Sequence, residues 1–316
     1  MEHIKGYDIS QDIPTAVTIG NFDGLHKGHR ALISLTGLCA REENLKSVVF
    51  TFSPHPMFVL KNKEHSALIL STSEKKELIK SLGVDLYIEY PFTEEFASMP
   101  PEKFANDIIF DRLCCKVLII GENYKFGFKQ SGNYELLKEL GEKRGIKVIN
   151  SPSVLYDGER ISSTRIRRCL IDRDIYSANM MLETPYFISG KVKEGKKLGR
   201  TLGFPTINIS ADPEKLFPPN GVYATKTEHN GKAYFGVTNI GCNPTVNGTE
   251  KIVETYLFDF HEVIYGERIK TYVFSWLRKE RKFEDVSALK EQLKKDEESS
   301  REYFNTPKFR LWSDNY

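Results

Sequence analysis

The chain has 316 residues, which predicts two domains at roughly 150 residues each. Lys and Arg number 45 against 43 Asp and Glu, a formal net charge of +2, and that near-balance argues against a dedicated nucleic-acid binder, whose domains carry a basic excess. With 40% hydrophobic and 28% charged residues the composition is that of ordinary globular proteins and excludes disorder as a global description. No apolar run approaches the roughly 18 residues needed to cross a bilayer, and Met1-Glu2-His3-Ile4-Lys5 has no apolar stretch of a signal peptide. Five cysteines include the adjacent Cys114 and Cys115 but no Cys-x-x-Cys pair. They fit free thiols in a reducing compartment better than a disulfide framework or a zinc site. The expectation is a cytoplasmic protein with no membrane and no nucleic-acid partner.

In chain order, the first half alternates short β-branched runs with longer amphipathic ones. Strands are predicted at 16–19, 47–52, 84–89, 116–120 and 147–149. Helices are predicted at 73–82, where Ser73 precedes the acidic Glu74, and at 134–144, where Leu136, Leu137 and Leu140 fall at helical spacing. Such alternation reads as a parallel sheet with helices on its faces, whose ligands bind beyond the carboxyl ends of the strands. After Glu183-Thr184-Pro185 the chain turns strand-rich. Runs 223–229 and 232–237 flank Asn230-Gly231, a strong hairpin signal because both residues tolerate positive φ. Strands follow at 252–260 and 269–276, and helical spacing returns at 286–293. The second half therefore predicts a small antiparallel barrel with a terminal helix. The domain boundary is expected at 183–187, giving domains 1–184 and 185–316.

Gly20-Asn21-Phe22-Asp23-Gly24-Leu25-His26-Lys27-Gly28-His29 follows a predicted strand and opens a helix. Its glycines permit a sharp turn and close approach of a ligand, and a helix N-terminus suits phosphate. His26 and His29, three apart, share a helix face. Two such histidines alone fit a surface pair equally well, and a zinc site lacks a third ligand. The preceding strand, the glycines and Asp23 favour phosphate handling. Ile161-Ser162-Ser163-Thr164-Arg165-Ile166-Arg167 places hydroxyls and guanidinium groups at another helix start, as a cap or as phosphate ligands. Thr51-Phe52-Ser53-Pro54-His55-Pro56 and Gly121-Glu122-Asn123-Tyr124-Lys125-Phe126-Gly127 lie just beyond strands, as turns or substrate loops.

In the second half, the stretch from Gly190 to Asn208 holds four glycines and five cations. It reads as a solvated loop or as a flap that closes over phosphates through backbone N–H groups. Thr206 and Asn208 project to one side of an extended segment and offer hard oxygen ligands suited to Mg²⁺. Alternation puts Glu254, Tyr256 and Phe258 on one face, a carboxylate beside aromatics that fits either a rim glutamate or a general base of raised basicity.

These motifs carry a resemblance. Gly-x-Phe-Asp-Gly-x-His-x-Gly-His and Ile-Ser-Ser-Thr-x-x-Arg resemble the nucleotidyltransferases with a His-x-Gly-His signature. Gly-x-x-Leu-Gly-Arg-x-Leu-Gly-Phe-Pro-Thr-x-Asn and the segment around Glu254 resemble riboflavin kinases, with Tyr256 where that family commonly has His. Together, in this order, they resemble the prokaryotic FAD synthetases. The resemblance implies a Rossmann-like nucleotidyltransferase domain with a parallel sheet, then a small antiparallel β-barrel. It implies a bifunctional enzyme that phosphorylates riboflavin with ATP and adenylylates the FMN to FAD. Either a single surviving activity or a non-catalytic flavin-binding module is the alternative. It assigns His26 and His29 to the nucleotide phosphates and Glu254 to the catalytic base. Gly20, Phe22, Asp23, Gly28, Asn123, Ser163, Thr164 and Arg167 would line one nucleotide site, and Gly195, Gly199 and Arg200 the flap over the other. Thr206 and Asn208 would hold Mg²⁺, and the protein would act as a monomer or weak homo-oligomer. Arg168 falls outside the motif, Asn239-Ile240-Gly241-Cys242-Asn243-Pro244-Thr245 and Tyr265-Gly266 match as shaping turns, and 274–283 with Arg278 matches without a role.

Overall fold

The computed structural model describes residues 1–61, 68–194, 203–245 and 248–313. It contains two compact units, Met1–Ser162 and Ser163–Tyr316.

The first unit is built on six parallel strands: β1 (Glu2–Lys5), β2 (Thr15–Ile19), β3 (Lys46–Ser53), β4 (Leu86–Pro91), β5 (Cys115–Gly121) and β6 (Lys147–Ser151), in the order β1-β4-β3-β2-β5-β6. A further two-stranded ribbon comprises β7 (Leu155–Tyr156) and β8 (Glu159–Arg160). The helices are α1 (Lys27–Glu42), α2 (Pro56–Lys61), α3 (Thr72–Ser81), α4 (Glu94–Ala97), α5 (Pro101–Lys103) and α6 (Tyr134–Glu142), with a π-helical stretch over Phe104–Arg112. Strands buried on both faces read as unbroken apolar runs. Val17, Ile19, Phe50, Leu86, Ile88 and Leu118 face a core completed by Phe104, Ile108 and Ile109. On the opposite face Ala16, Val117 and Ile119 pack on Cys39 and Ala40 of α1.

All five predicted strands of this unit are present, each within two residues of its expected ends. β1 was not predicted, because Glu2-His3-Ile4-Lys5 has neither alternation nor an apolar run; it exists through its parallel pairing with β4. The expected cap Ser73 lies inside α3. Ser71 is the cap, accepting from Glu74 N at 3.3 Å while Glu74 Oε2 accepts from Ser71 N at 3.0 Å. That reciprocal pair is a capping box, and two orphan donors are satisfied at once.

The second unit is a closed barrel of β9 (Phe187–Lys193), β10 (Thr206–Ala211), β11 (Gly221–His229), β12 (Lys232–Thr245), β13 (Gly248–Leu257) and β14 (Arg268–Arg278), in the order β10-β13-β12-β11-β14-β9. Every neighbour is antiparallel, and β9 closes on β10. The hairpin at Asn230-Gly231 forms as expected, with φ of 49° and 75° at its two central residues. Residues 239–245 extend β12 instead of forming the expected turn, because each pairs with β13. The interior carries fully buried Thr225, Thr238 and Thr255, whose hydroxyls are linked at 2.8 Å.

Helices α7 (Ser163–Ile171) and α8 (Ile175–Met181) belong to this unit by packing, ahead of the boundary expected at 183–187. Buried Asn179 of α8 donates to Val273 O at 2.9 Å and accepts from Tyr186 N at 2.9 Å, tying the helix to β14 and to the entry of β9. The terminal helix α9 (Val286–Asn305) runs well past its predicted 286–293 and is followed by α10 (Pro307–Ser313). Arg278 of β14 clamps α9 through two 2.7 Å bonds to the buried carboxylate of Asp296. Removing one partner of a buried ion pair strands the other, so Asp296→Ala should destabilise the second unit by about 3 kcal/mol. Urea unfolding followed by Trp276 fluorescence measures it, and a loss near zero would show that the clamp is not holding α9.

Candidate active sites

Strand order reverses at β2, since β3 lies on one side of it and β5 on the other. In parallel sheets a ligand crevice opens at the carboxyl ends of such a pair. Residues 20–26 leave β2 there, and Asn123 sits exposed in the turn that leaves β5. Phe22, Gly24 and Leu25 take φ of 49°, 82° and 42°, a concentration of left-handed backbone that persists only where its surroundings fix it. Asp23, 2% exposed, does much of the fixing: its two carboxylate oxygens accept from Ile69 N and Leu70 N, each at 3.2 Å. Lys75, 8% exposed, reaches the same loop by donating to Asn21 O at 3.3 Å and to Thr51 Oγ1 at 3.4 Å. The sequence gives no reason to single Lys75 out among the lysines of α3.

His26 is the N-cap of α1, and its Nδ1 accepts from His29 N at 3.2 Å. The two rings stack at 3.6 Å between centroids, and Phe22 meets His29 edge-on at 5.2 Å. A Cβ on Gly28 would stand 3.2 Å from the His26 ring, so a larger residue there would press on the stack. On Gly20 it would stand 3.2 Å from the Phe22 ring. Burial lowers the His26 pKa to about 4, the nearby Asp23 only partly opposing it. Burial, then His26 and Lys75, holds His29 well below the usual histidine range. Both rings are therefore neutral near pH 7. With Nδ1 of His26 accepting, its proton sits on Nε2 as a donor, and the Nδ1 of His29 is buried without a hydrogen-bond partner. A pair of neutral donors at the positive end of α1 is suited to an anion.

Ser163, Thr164 and Arg167 occupy the first turns of α7, with Ser163 and Arg167 half-buried and Thr164 exposed; Arg168, outside the motif, is exposed. These three belong to the second unit, and His26 and His29 to the first. Gly195, Gly199 and Arg200 lie outside the described residues.

On the barrel, alternation sends Ile207, Thr255 and Thr238 inward and their neighbours outward. Asn208 pairs with Glu254 across β10 and β13, and Glu254 pairs with Asn239 across β13 and β12. Thr206 Oγ1 donates to Glu254 Oε1 at 2.6 Å. The three residues expected as base and metal ligands thus form one outward cluster. Among the described residues no group of three His, Cys, Asp or Glu side chains could hold a metal. The donor set here is instead a hydroxyl, an amide and one carboxylate, which matches the oxygen preference of Mg²⁺. Tyr256, which stands where the resembled family commonly has His, packs edge-on against Phe204 at 5.1 Å. Burial, with Glu297 and Asp259 assisting, raises its hydroxyl's pKa.

Residues 8–165 match the FAD synthetase family model and residues 182–304 the riboflavin kinase model. A bifunctional riboflavin kinase/FMN adenylyltransferase of Buchnera aphidicola (subsp. Schizaphis graminum) is 39% identical over 92% of this chain and 94% of its own length. The chain belongs to the bifunctional riboflavin kinase/FMN adenylyltransferase family. Relatives of the same description include those of Escherichia coli K12, 35% identical over 92% of this chain and 93% of its own, and Bacillus subtilis 168, 36% identical over the same shares. A solved structure described as a macrolide-efflux protein from Streptococcus pneumoniae is 32% identical, covers 95% of this chain and 99% of its own, and superposes with a TM-score of 0.84. Among the described residues no helix is long and apolar enough to cross a membrane.

The depressed histidine pKa values couple this site to folding. A buried His26 that stays neutral down to about pH 4, but would take a proton near 6.5 when unfolded, stabilises the fold fully above pH 6.5 and loses that contribution as pH falls toward 4. The full span is worth about 3 kcal/mol. His26→Asn keeps a capping oxygen without a titrating ring, so its urea-unfolding free energy should fall less than wild type's between pH 7 and pH 4.5. Parallel pH dependences would show that His26 is not held neutral.

Proposed function

We propose that this chain makes FMN from riboflavin and ATP, and then FAD from that FMN and a second ATP. Residues 1–184 carry the adenylyl transfer and 185–316 the kinase. The observation that carries the reading is the cluster of Thr206, Asn208 and Glu254 on the outer face of the barrel.

In the kinase step Thr206 occupies one oxygen of Glu254 and leaves Oε2 to take the proton of the terminal ribityl hydroxyl. That hydroxyl oxygen bonds to the γ-phosphorus, the bond from γ-phosphorus to the bridging oxygen breaks, and ADP leaves. Thr206 can give its proton to Glu254 and, together with the Asn208 amide oxygen, would hold Mg²⁺. When bound there, Mg²⁺ supplies charge neutralisation on the ATP phosphates. By their motif alone, Gly195, Gly199 and Arg200 are assigned to those phosphates.

In the adenylyl step a phosphate oxygen of FMN bonds to the α-phosphorus of ATP, and the bond to pyrophosphate breaks. The charge on the departing pyrophosphate is met by His26, His29 and the positive end of α1. Gly20, Phe22, Asp23, Gly28 and Asn123 shape the nucleotide site, and Ser163, Thr164 and Arg167 are assigned as phosphate ligands by their motif alone. Free cysteines and the lack of a membrane-spanning helix among the described residues support a cytoplasmic enzyme, which we assign as a monomer or weak homo-oligomer.

Glu254→Ala should lower FMN formation by at least about 100-fold, the scale of a lost general base, while supplied FMN is still adenylylated. His29→Ala should do the reverse. Chromatography of the flavins separates the two outcomes, and equal loss of both activities in either variant would contradict separate sites.

A further inference from the structure

Asn208, Glu254 and Asn239 stand in one row across three adjoining strands, with Glu254 in the middle. The proposed base is thus flanked on one side by an amide assigned to the metal and on the other by an amide with no assigned role. The setting of the second amide is built. Asn239 Nδ2 donates to Glu280 Oε1 at 3.2 Å, and the other oxygen of Glu280 accepts from Asn220 Nδ2 at 3.0 Å. Gly241, two residues along the same face, makes room for that carboxylate, since a Cβ there would lie 2.4 Å from Glu280 Oε1. A carboxylate can only accept, so it fixes which end of the Asn239 amide faces it. The amide oxygen of Asn239 is left buried, without a hydrogen-bond partner. Buried carbonyl oxygens are almost always paired, and one that is not points to a donor supplied from outside the chain.

We infer that Asn239 Oδ1 accepts a hydrogen bond from a secondary hydroxyl of the polyol chain of the substrate, setting the reacting hydroxyl beside Glu254 and selecting for flavins that carry that hydroxyl. This rests on the kinase reading of the barrel. A single acceptor suits a hydroxyl. A metal ion would need several oxygens, and on this side the nearest others, those of Glu280, are both engaged. The order along the row then follows the order of the reaction: metal and phosphate at Asn208, proton acceptor at Glu254, polyol at Asn239. Glu280 is a positioning residue, acting only by holding the amide.

The experiment compares riboflavin with analogues that each lack one secondary ribityl hydroxyl, using full-length wild type, Asn239→Ala and Glu280→Gln. A site built to bind a hydroxyl penalises its absence, here by roughly 10–100-fold in kcat/KM. Wild type should show that penalty for one analogue. Asn239→Ala should lose a similar factor on riboflavin and nothing further on that analogue, with the KM for ATP and the Mg²⁺ dependence unchanged. Glu280→Gln keeps an oxygen for Asn239 Nδ2 and should keep the wild-type selectivity, and a thermal melt checks that each variant is folded. Losses that multiply for every analogue, or a shift in KM for ATP or in Mg²⁺ dependence, would overturn the assignment. Wild-type conversion of riboflavin to FMN tests the kinase reading by itself, so the two can fail separately.

Discussion

Strand register is the constraint on which both sites depend. In the barrel, three consecutive strands must pair so that Asn208, Glu254 and Asn239 fall in one row. A slip of one residue in β13 would turn Glu254 inward among threonines and turn Thr255 outward. The linked hydroxyls of Thr225, Thr238 and Thr255 hold that register, because a slipped strand would leave hydroxyls buried and unpaired. In the sheet, the parallel order around β2 brings residues 20–26 and Asn123 to the same edge.

The two sites use opposite electrostatic strategies. The barrel site presents half-exposed oxygens: a carboxylate, a hydroxyl and an amide. The first unit's site buries two imidazoles so deeply that neither carries charge near neutral pH. The cost appears as backbone strain at Phe22 and Leu25, in a loop held by the Asp23 carboxylate and by the Lys75 ammonium.

What was legible in the sequence was what is local. Buried strands such as Thr15–Ile19 announce themselves by composition, and Asn230-Gly231 by the φ it tolerates. The histidine motif, the Pro-Thr-x-Asn run and Glu254 could be picked out because each lies in a short stretch that resembles a known family's motif. Non-local partners could not. Glu2–Lys5 becomes a strand only beside β4, and 239–245 reads as turns until β13 pairs with it. Helices α7 and α8 precede the composition change, yet Asn179 ties them to the barrel. Lys75 and Asn239 were missed as individual residues for the same reason: one sits among other lysines, and the other owes its place to a strand partner and to Glu280. Ser71 was the exception, since its capping box with Glu74 is a four-residue pattern and Ser73 was the wrong serine of the two.

The central claim is that one chain holds two separate sites, the product of one being the substrate of the other. The most direct test mixes Glu254→Ala and His29→Ala chains in equal amounts with riboflavin, ATP and Mg²⁺, and follows the flavins by chromatography. The account predicts that neither variant alone converts riboflavin to FAD and that the mixture does, because FMN made at an intact kinase site is used at an intact adenylyl-transfer site on another chain. A mixture that forms FMN but no FAD, although Glu254→Ala adenylylates supplied FMN, would contradict an intermediate that passes freely between two independent sites.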